Sequence, residues 1–416
     1  MPCDADAERA IERATGVDVS DIVDVSDIVD VRGVPVWESG PSSRYAVLSG
    51  EIEADVCVVG LGGSGLTCVR ELLAAGASVV GVDAGRVGGG AAGRNGGFLL
   101  AGLADFYHDL VANVGRPRAA ELYGLTVAEM ERITAEVPEL VHRCGSLRIA
   151  ESDEELADCA LHRDALRADG FAVDDYDGPE GRGLRIPGDG TFHPLARCRL
   201  LAEHAVREGA TLHECSAALS IEAGVVRTAA GVARARAIVI AVDGGLEQIV
   251  PDLGDRVRTA RLQMLATGPT SEVQLPYPVY ANWGYDYWQQ RPDGALVLGG
   301  ARDLDMEREW TSDGTPTVVV QEALERRLRE RIGVQAPITH RWAASVSYTT
   351  DGLPIVAEVR RGVWAIGGYS GTGNVVGPLL GRGVARLLTS GDDALLRPFI
   401  DGHAGARAHG HVGAHS

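Results

Sequence analysis

Residues 55–65 read Asp-Val-Cys-Val-Val-Gly-Leu-Gly-Gly-Ser-Gly. A short apolar run enters three glycines, Gly60, Gly62 and Gly65, and an apolar helical pattern through Leu66, Val69, Leu72 and Leu73 runs on to Gly76. A second strand, 78–82, ends in Asp83 and completes a β-α-β unit of about 30 residues. In that setting each glycine has a purpose. Gly60 makes the tight turn, Gly62 lets the backbone approach a pyrophosphate, and Gly65 lets helix and strand pack closely. Gly63 and Ser64 open the helix, whose free N–H groups and positive potential suit an anion. Asp83 stands where an acid accepts ribose hydroxyls. Arg86 follows three residues later and not at once, so no 2′-phosphate is indicated.

The rest of the chain frames that unit. Its 416 residues suggest two or three domains or one large bipartite unit, and 45% hydrophobic residues supply a sizeable core. The net charge is −19, which repels phosphate backbones and anionic lipid and argues against nucleic acid or a membrane surface as partner. All 39 basic residues are Arg, so Schiff-base, pyridoxal and P-loop lysine chemistry is excluded. Seven scattered cysteines without a C-x-x-C pair point to reduced thiols in a cytoplasmic protein and exclude a flavin disulfide reductase. The acidic N-terminus does not read as a signal peptide, and no apolar run reaches the length of a membrane span.

The pattern predicts an α/β (α+β) fold: a Rossmann-type domain built from discontinuous segments, plus a mainly antiparallel β domain with helices. Residues 1–32 form an acidic arm with the tandem hexapeptide DVSDIV at 18–23 and 24–29, either mobile or a dock for a protein partner. Residues 33–150, 195–254 and 341–400 are assigned to the dinucleotide domain. Residues 151–194 and 255–340 are assigned to the second domain. The tail 401–416 carries His403, His409, His411 and His415 and reads as a disordered surface segment with no metal role. A strand is expected at 210–218 and an amphipathic helix at 317–332.

A fingerprint alone does not choose the dinucleotide. The segment Asp83-Ala-Gly-Arg-Val-Gly-Gly-Gly-Ala-Ala-Gly-Arg-Asn-Gly-Gly97 resembles the flavin loop of the D-amino-acid oxidase / glycine oxidase superfamily. Gly-Ser-Leu-Arg at 145–148, Trp342 with Thr350-Asp-Gly-Leu-Pro354, and Gly367-Gly-Tyr-Ser-Gly-Thr-Gly373 resemble further elements of that family, in its order. The preamble ending at Gly60 is most similar to the gamma-glutamylputrescine oxidase branch. The resemblance implies FAD, bound non-covalently. It implies cofactor contacts from Gly60, Gly62, Gly63, Ser64, Gly65, Asp83, Ala84, Arg86, Ala91, Arg94, Asn95, Gly96, Gly97, Ala218, Ala241, Gly368, Ser370, Gly371, Thr372, Gly373 and Asn374. A helix beginning near 375 would aim its N-terminus at the reduced flavin.

On the substrate side the resemblance implies hydride transfer from a C–H beside nitrogen, and the departures are informative. The family's carboxylate-binding Arg falls at Val346. A carboxylate-binding Lys of the sarcosine-oxidase branch falls at Val375. The covalent flavin Cys falls near Val346 or Ser347, and the oxygen-assisting Lys near Val297. An amine or N-substituted amino acid with a remote polar group is therefore expected, with O2 as electron acceptor. Tyr280, Trp283, Tyr285, Tyr287 and Trp288 crowd one segment, and Trp283, Tyr285 and Tyr287 share a face if it is a strand. Those rings either line a cation-friendly box or form sheet core. Arg302 is the first choice to meet a ligand anion, Trp283, Tyr285 and Tyr348 join it as substrate-side residues, and His340 is a weaker candidate. Competing readings are an NAD(P)-linked two-domain dehydrogenase, a tRNA-modifying enzyme on the same fold, and a non-catalytic flavin-binding docking protein.

Overall fold

The computed structural model describes residues 31–38 and 43–400. The DVSDIV repeat and the His-rich tail lie outside the described residues. Two large sheets and one small one organise the chain.

The first sheet is the Rossmann layer. Its parallel strands run in the order Thr211–His213, Val79–Val82, Gly50–Val59, Gly231–Ile240 and Val363–Gly367, and Ile355–Arg360 joins antiparallel at the edge. A hairpin of Ser220–Glu222 and Val225–Arg227 pairs with the first half of Gly231–Ile240. Val79–Val82 and the last residues of the two central strands, Val56–Val59 and Ile238–Ile240, are buried and read as Val/Ile runs, as parallel strands between two layers do. Helices Gly63–Ala74 and Gly373–Ser390 cross closely on one face: a Cβ on Gly381 would lie 2.2 Å from the Ser64 carbonyl oxygen. The strand expected at 210–218 is only three residues long. Cys215, with φ +48, turns the chain back so that its N–H and that of Ser216 donate to the carbonyls of Gly85 and Asp83.

The second sheet has nine strands. Its order is Val31–Arg32, Ile338–Thr349, Val257–Pro269, Ala295–Gly300, Asp286–Gln290, Val279–Ala281, Ser146–Ile149, Gly181–Ile186 and Asp174–Gly178. It is antiparallel except at the Val31–Arg32 pairing and at the Val279–Ala281 pairing with Ser146–Ile149. Three segments therefore differ from the sequence assignment, the first being Val31–Arg32, assigned to the N-terminal arm. Ser146–Ile149, and Ile338–Thr349 beyond residue 341, belong to this sheet, because register with antiparallel neighbours decides membership and a boundary drawn from composition does not. Helix Val318–Arg326, continuing as a wider turn through Ile332, covers the outer face with Val320, Leu324 and Leu328. The run 280–288 is also not one strand. Asn282, Trp283 and Gly284 all have positive φ (+51, +50 and +85) and form a tight turn between Val279–Ala281 and Asp286–Gln290. Asn and Gly favour that conformation.

The six cysteines among the described residues are free. No helix among the described residues is long and apolar enough to cross a membrane.

Candidate active site

All the Gly-rich segments emerge from the C-terminal ends of parallel strands, where doubly wound sheets bind ligands. At the first, Gly60 has φ +100 and an added Cβ would meet the Ala241 carbonyl oxygen at 2.6 Å. On Gly65 it would lie 1.9 Å from the Gly60 oxygen, and on Gly62 3.1 Å from the Ala92 Cβ. The helix that follows, with Gly63 and Ser64 at its start, has no side-chain cap and no acid in its first turn, so its N–H groups are left for a ligand. Asp83 is held from both sides: Leu61 N–H donates to Oδ2 (2.7 Å) and Gly85 N–H to Oδ1 (2.8 Å). Burial raises its carboxyl above the usual range, against those two bonds. Glu214, buried beside it, accepts from the Val87 and Tyr45 N–H groups. Ala84 is exposed at this turn and Arg86 is half-buried. Ala218 packs into the apolar cluster of the Rossmann sheet, and Cys215 and Ser216 are the residues that reach Asp83 and Gly85.

The second segment enters a short helix, Ala91–Arg94, and then lies on the inner face of the nine-stranded sheet. Arg94 donates from Nε to the Ala343 carbonyl (2.8 Å) and from Nη2 to Gly33 (2.7 Å), while Trp342 Nε1 donates to the Arg94 carbonyl (2.7 Å). Gly96 and Gly97 pass where a Cβ would strike the Phe98 ring and the Phe192 carbonyl. The third segment, 367–373, has φ of +65 at Gly368, +49 at Ser370 and +90 at Gly371. Thr372 turns its hydroxyl back to the Tyr369 carbonyl, leaving helix Gly373–Ser390 uncapped by any side chain.

The second and third segments are tied by an amide pair. Asn95 Nδ2 donates to Asn374 Oδ1 and Asn374 Nδ2 to Asn95 Oδ1, each at 3.0 Å. Asn374 Nδ2 also reaches the Phe98 carbonyl, and Asn95 Oδ1 accepts from Gly97 N–H. Asn95, Asn374 and Arg94 are among the expected cofactor contacts. Their side chains bond each other and neighbouring carbonyls, and so fix the course of the backbone here.

Facing these segments, the sheet presents one row across six strands: Trp342, Met264, Gly299, Tyr287, Tyr280 and Arg148 are successive register partners. Gly299 is what lets the Tyr287 ring lie flat, since a Cβ there would meet that ring at 2.4 Å. Tyr280 and Tyr287 stack (5.6 Å), and Phe98 stands edge-on to both. These tyrosines serve as sheet core and as the wall against which Phe98, just after the second Gly-rich segment, packs. Arg148 ends the row over the Phe106 ring, with no ion-pair partner among the described residues.

Arg302 lies on the same side. Gly300 and Ala301, with φ +128 and +57, turn it inward, and the Ala301 N–H is held by the Tyr285 carbonyl (2.8 Å). Its guanidinium carbon sits 4.6 Å from the Tyr348 ring centre, 4.8 Å from Trp310 and 5.6 Å from Tyr285. Arg302 is 6% exposed, and its Nη1 is buried without a hydrogen-bond partner. Burial raises the Tyr348 phenol, and Arg302 partly offsets that. Trp310, which the sequence reading missed, is clamped between Arg302 and Arg258 (4.5 Å). It is carried by a segment pinned through Glu309, whose carboxylate takes two bonds from buried Arg261 (3.0 and 2.8 Å) and two from Gln263. Trp283 is absent from this group. Its indole Nε1 donates to Asp158 (2.8 Å) and its N–H to Glu155 (2.7 Å), at the outer edge. His340 bonds the Thr339 hydroxyl.

These residues fit FAD. Gly60, Gly62 and Gly65 shape a backbone cradle that a Cβ would fill, and Asp83, held by two backbone N–H groups, lies beside it. Two further Gly-rich segments, locked together, lie against a ring-lined sheet.

Comparison with known proteins agrees. In Escherichia coli K12 a gamma-glutamylputrescine oxidoreductase is 29% identical over 388 residues, covering 83% of this chain and 87% of the relative. Glycine oxidase from Geobacillus kaustophilus superposes with a TM-score of 0.67 at 23% identity, over 81% of this chain and 94% of that one. L-proline dehydrogenase from P. horikoshii superposes with a TM-score of 0.69 at 18% identity, over 87% and 100%. Residues 55–387 match the FAD dependent oxidoreductase family, and the chain belongs to that family of FAD-binding flavoproteins.

Proposed function

We propose that this enzyme oxidises a C–N bond of an amine or N-substituted amino acid whose carboxylate lies away from the reacting carbon. The observation that carries the reading is the Arg302 box: a buried guanidinium among three ring faces, with its Nη1 lacking an acceptor. A buried donor without an acceptor costs about 1–3 kcal/mol, so an anionic group that supplies the acceptor is recognised strongly. Arg offers a planar fork for a carboxylate, and the rings exclude water around it.

The box adjoins the third glycine segment. Tyr348 neighbours Ser347, whose carbonyl accepts the Ser370 N–H (2.9 Å). A ligand anchored at Arg302 is thereby oriented toward the segment that resembles the flavin motif. FAD, held without a covalent bond, supplies a two-electron acceptor for hydride from the carbon beside nitrogen. The chain's part is to bind the anion, exclude water and hold the amine in place. Loss of hydride leaves a C=N bond, and added water releases an amine and a carbonyl product. O2 as acceptor is the simpler completion, giving peroxide.

The E. coli relative's name joins a glutamyl group to a polyamine, which agrees with a carboxylate remote from the reacting amine. The test is anaerobic bleaching of the flavin by simple amines, α-amino acids, N-substituted amino acids and glutamylated polyamines. The account expects carboxylate-bearing amines to bleach it, and Arg302→Met to raise their KM. Equal bleaching by uncharged amines, unchanged in Arg302→Met, contradicts it. Under air, stoichiometric peroxide separates an oxidase from a dehydrogenase.

A further inference from the structure

Asp243 belongs to none of the motifs, yet it stands where they meet. It follows strand Gly231–Ile240, two residues past Ala241, whose carbonyl crowds Gly60. Between them, the Val242 carbonyl lies 2.5 Å from where a Cβ on Gly367 would be. Residues 241–243 thus run from the dinucleotide turn to the third glycine segment.

The carboxylate spans two elements. Oδ1 accepts the Tyr369 N–H (3.1 Å), and Oδ2 accepts the Ser347 N–H (3.2 Å). The Gly368 N–H also stabilises the charge. The main-chain carbonyl of Asp243 accepts the Ser347 hydroxyl at 2.6 Å. Behind Ser347, Thr259 and Glu247 continue the network, with Thr259 Oγ1 3.1 Å from Ser347 Oγ and 2.9 Å from Glu247. Ser347 precedes Tyr348, on which Arg302 stacks. A purely structural tie could use a backbone turn or an amide. A carboxylate offers two oxygens as acceptors only, which suits N–H donors arriving from two directions.

We propose that Asp243 is a positioning residue that holds segment 367–373 in register with the strand bearing Tyr348, so that one carboxylate sets both the FAD loop and the substrate box. The proposal rests on FAD binding there and reaches past it, to how the two halves are aligned. Ionisation is what makes the tie. Burial pushes the Asp243 carboxyl up to about 6, against the bonds from Tyr369, Ser347 and Gly368, and Glu247 adds to the rise. The titratable groups acting around it are Glu247 on its own segment, Tyr348 on the sheet strand and Tyr369 on the loop. Below about 6 one oxygen carries a proton and can no longer accept from the N–H it faces. FAD affinity should therefore fall as pH drops through that value. Global stability moves the other way. The folded pKa lies above the unfolded one, so the folded chain holds this proton more tightly, and the group's contribution is lost as pH rises through the window up to about 6.

The experiment uses the full chain, as wild type and Asp243→Asn. Hydrogen exchange of the FAD-free protein reads the tie itself, and FAD titration from pH 5 to 8 reads its consequence. Expected are faster exchange in 367–372 and at Ser347 in the variant, and FAD affinity about tenfold weaker at pH 8, on the scale of a lost charge-assisted bond. The wild-type affinity should decline below pH 6 toward the variant's, while the variant stays flat. Faster exchange with unchanged FAD affinity overturns the proposal, since Asp243 is then a structural tie only. So does a wild-type FAD affinity that does not change between pH 5 and 8, a result that needs no variant to fold. A wild-type chain that takes up no FAD at any pH overturns the flavin reading as well, and the wild-type titration alone tells the two failures apart.

Discussion

At the dinucleotide turn a Cβ on Gly65 would lie 1.9 Å from a carbonyl oxygen, whereas around Arg302 three ring centres stand 4.6–5.6 Å from the guanidinium carbon. The first region is made of backbone at positions where no side chain fits. The second is made of packed side chains whose identity matters. Added volume of even one methyl should therefore destroy the first region. Lost charge or lost ring faces should act on the second and leave the first in place.

The largest effect is expected at Gly65. Gly65→Ala forces its methyl against backbone that cannot yield, and a cost of about 3 kcal/mol or more is expected, with no FAD retained on purification. Thermal unfolding and the visible flavin spectrum read it together. A yellow variant with an unchanged melting temperature would erase the contrast between the two regions.

Next comes Arg302. Arg302→Met keeps much of the side-chain volume and removes the charge. For a carboxylate-bearing amine, kcat/KM should fall about 10–100-fold, carried by KM, while FAD binding stays at the wild-type level. A fall in FAD affinity instead would merge the two regions into one.

A smaller effect belongs to the seam. Asn374→Ala breaks the reciprocal amide pair with Asn95 and frees the Phe98 carbonyl. FAD affinity should weaken about tenfold with little change in KM. The smallest effect is at Trp283, whose indole meets Asp158 at the edge. Trp283→Phe should leave kcat/KM within about twofold, as exposed substitutions usually do. A large loss there would place the substrate box at the outer edge of the sheet, away from Arg302.

The same contrast explains what could be read from the chain alone. Glycine spacing before and after a strand is a local signal, because turn, close approach and helix packing are settled within a few residues. Hence Gly60, Gly62, Gly65 and Asp83 were legible, and so was the segment 367–374. Arg302 was legible for a related reason: it follows two glycines at a strand end. Trp310, Arg258, Arg148 and Asp243 were not, because register across strands far apart in sequence brings them to the site. Arg258 lies opposite Tyr348 and Arg148 opposite Tyr280 only once the nine-stranded sheet is assembled. Trp283 was misplaced because the aromatic pattern masked a turn signal, Asn282 and Gly284, on either side of it. The strand expected to run to Ala218 stops at His213 because the left-handed Cys215 diverts the chain.

The central claim is that separated glycine segments, locked through Asn95 and Asn374, close around a single FAD on the ring-lined face of the sheet. Equilibrium titration of FAD into the flavin-free wild type, Gly62→Val and Asn374→Ala tests it most directly. The account predicts one FAD per chain in the wild type, none with Gly62→Val, and the same stoichiometry at about tenfold weaker affinity with Asn374→Ala. Identical binding by all three chains, or no binding by the wild type, would contradict it.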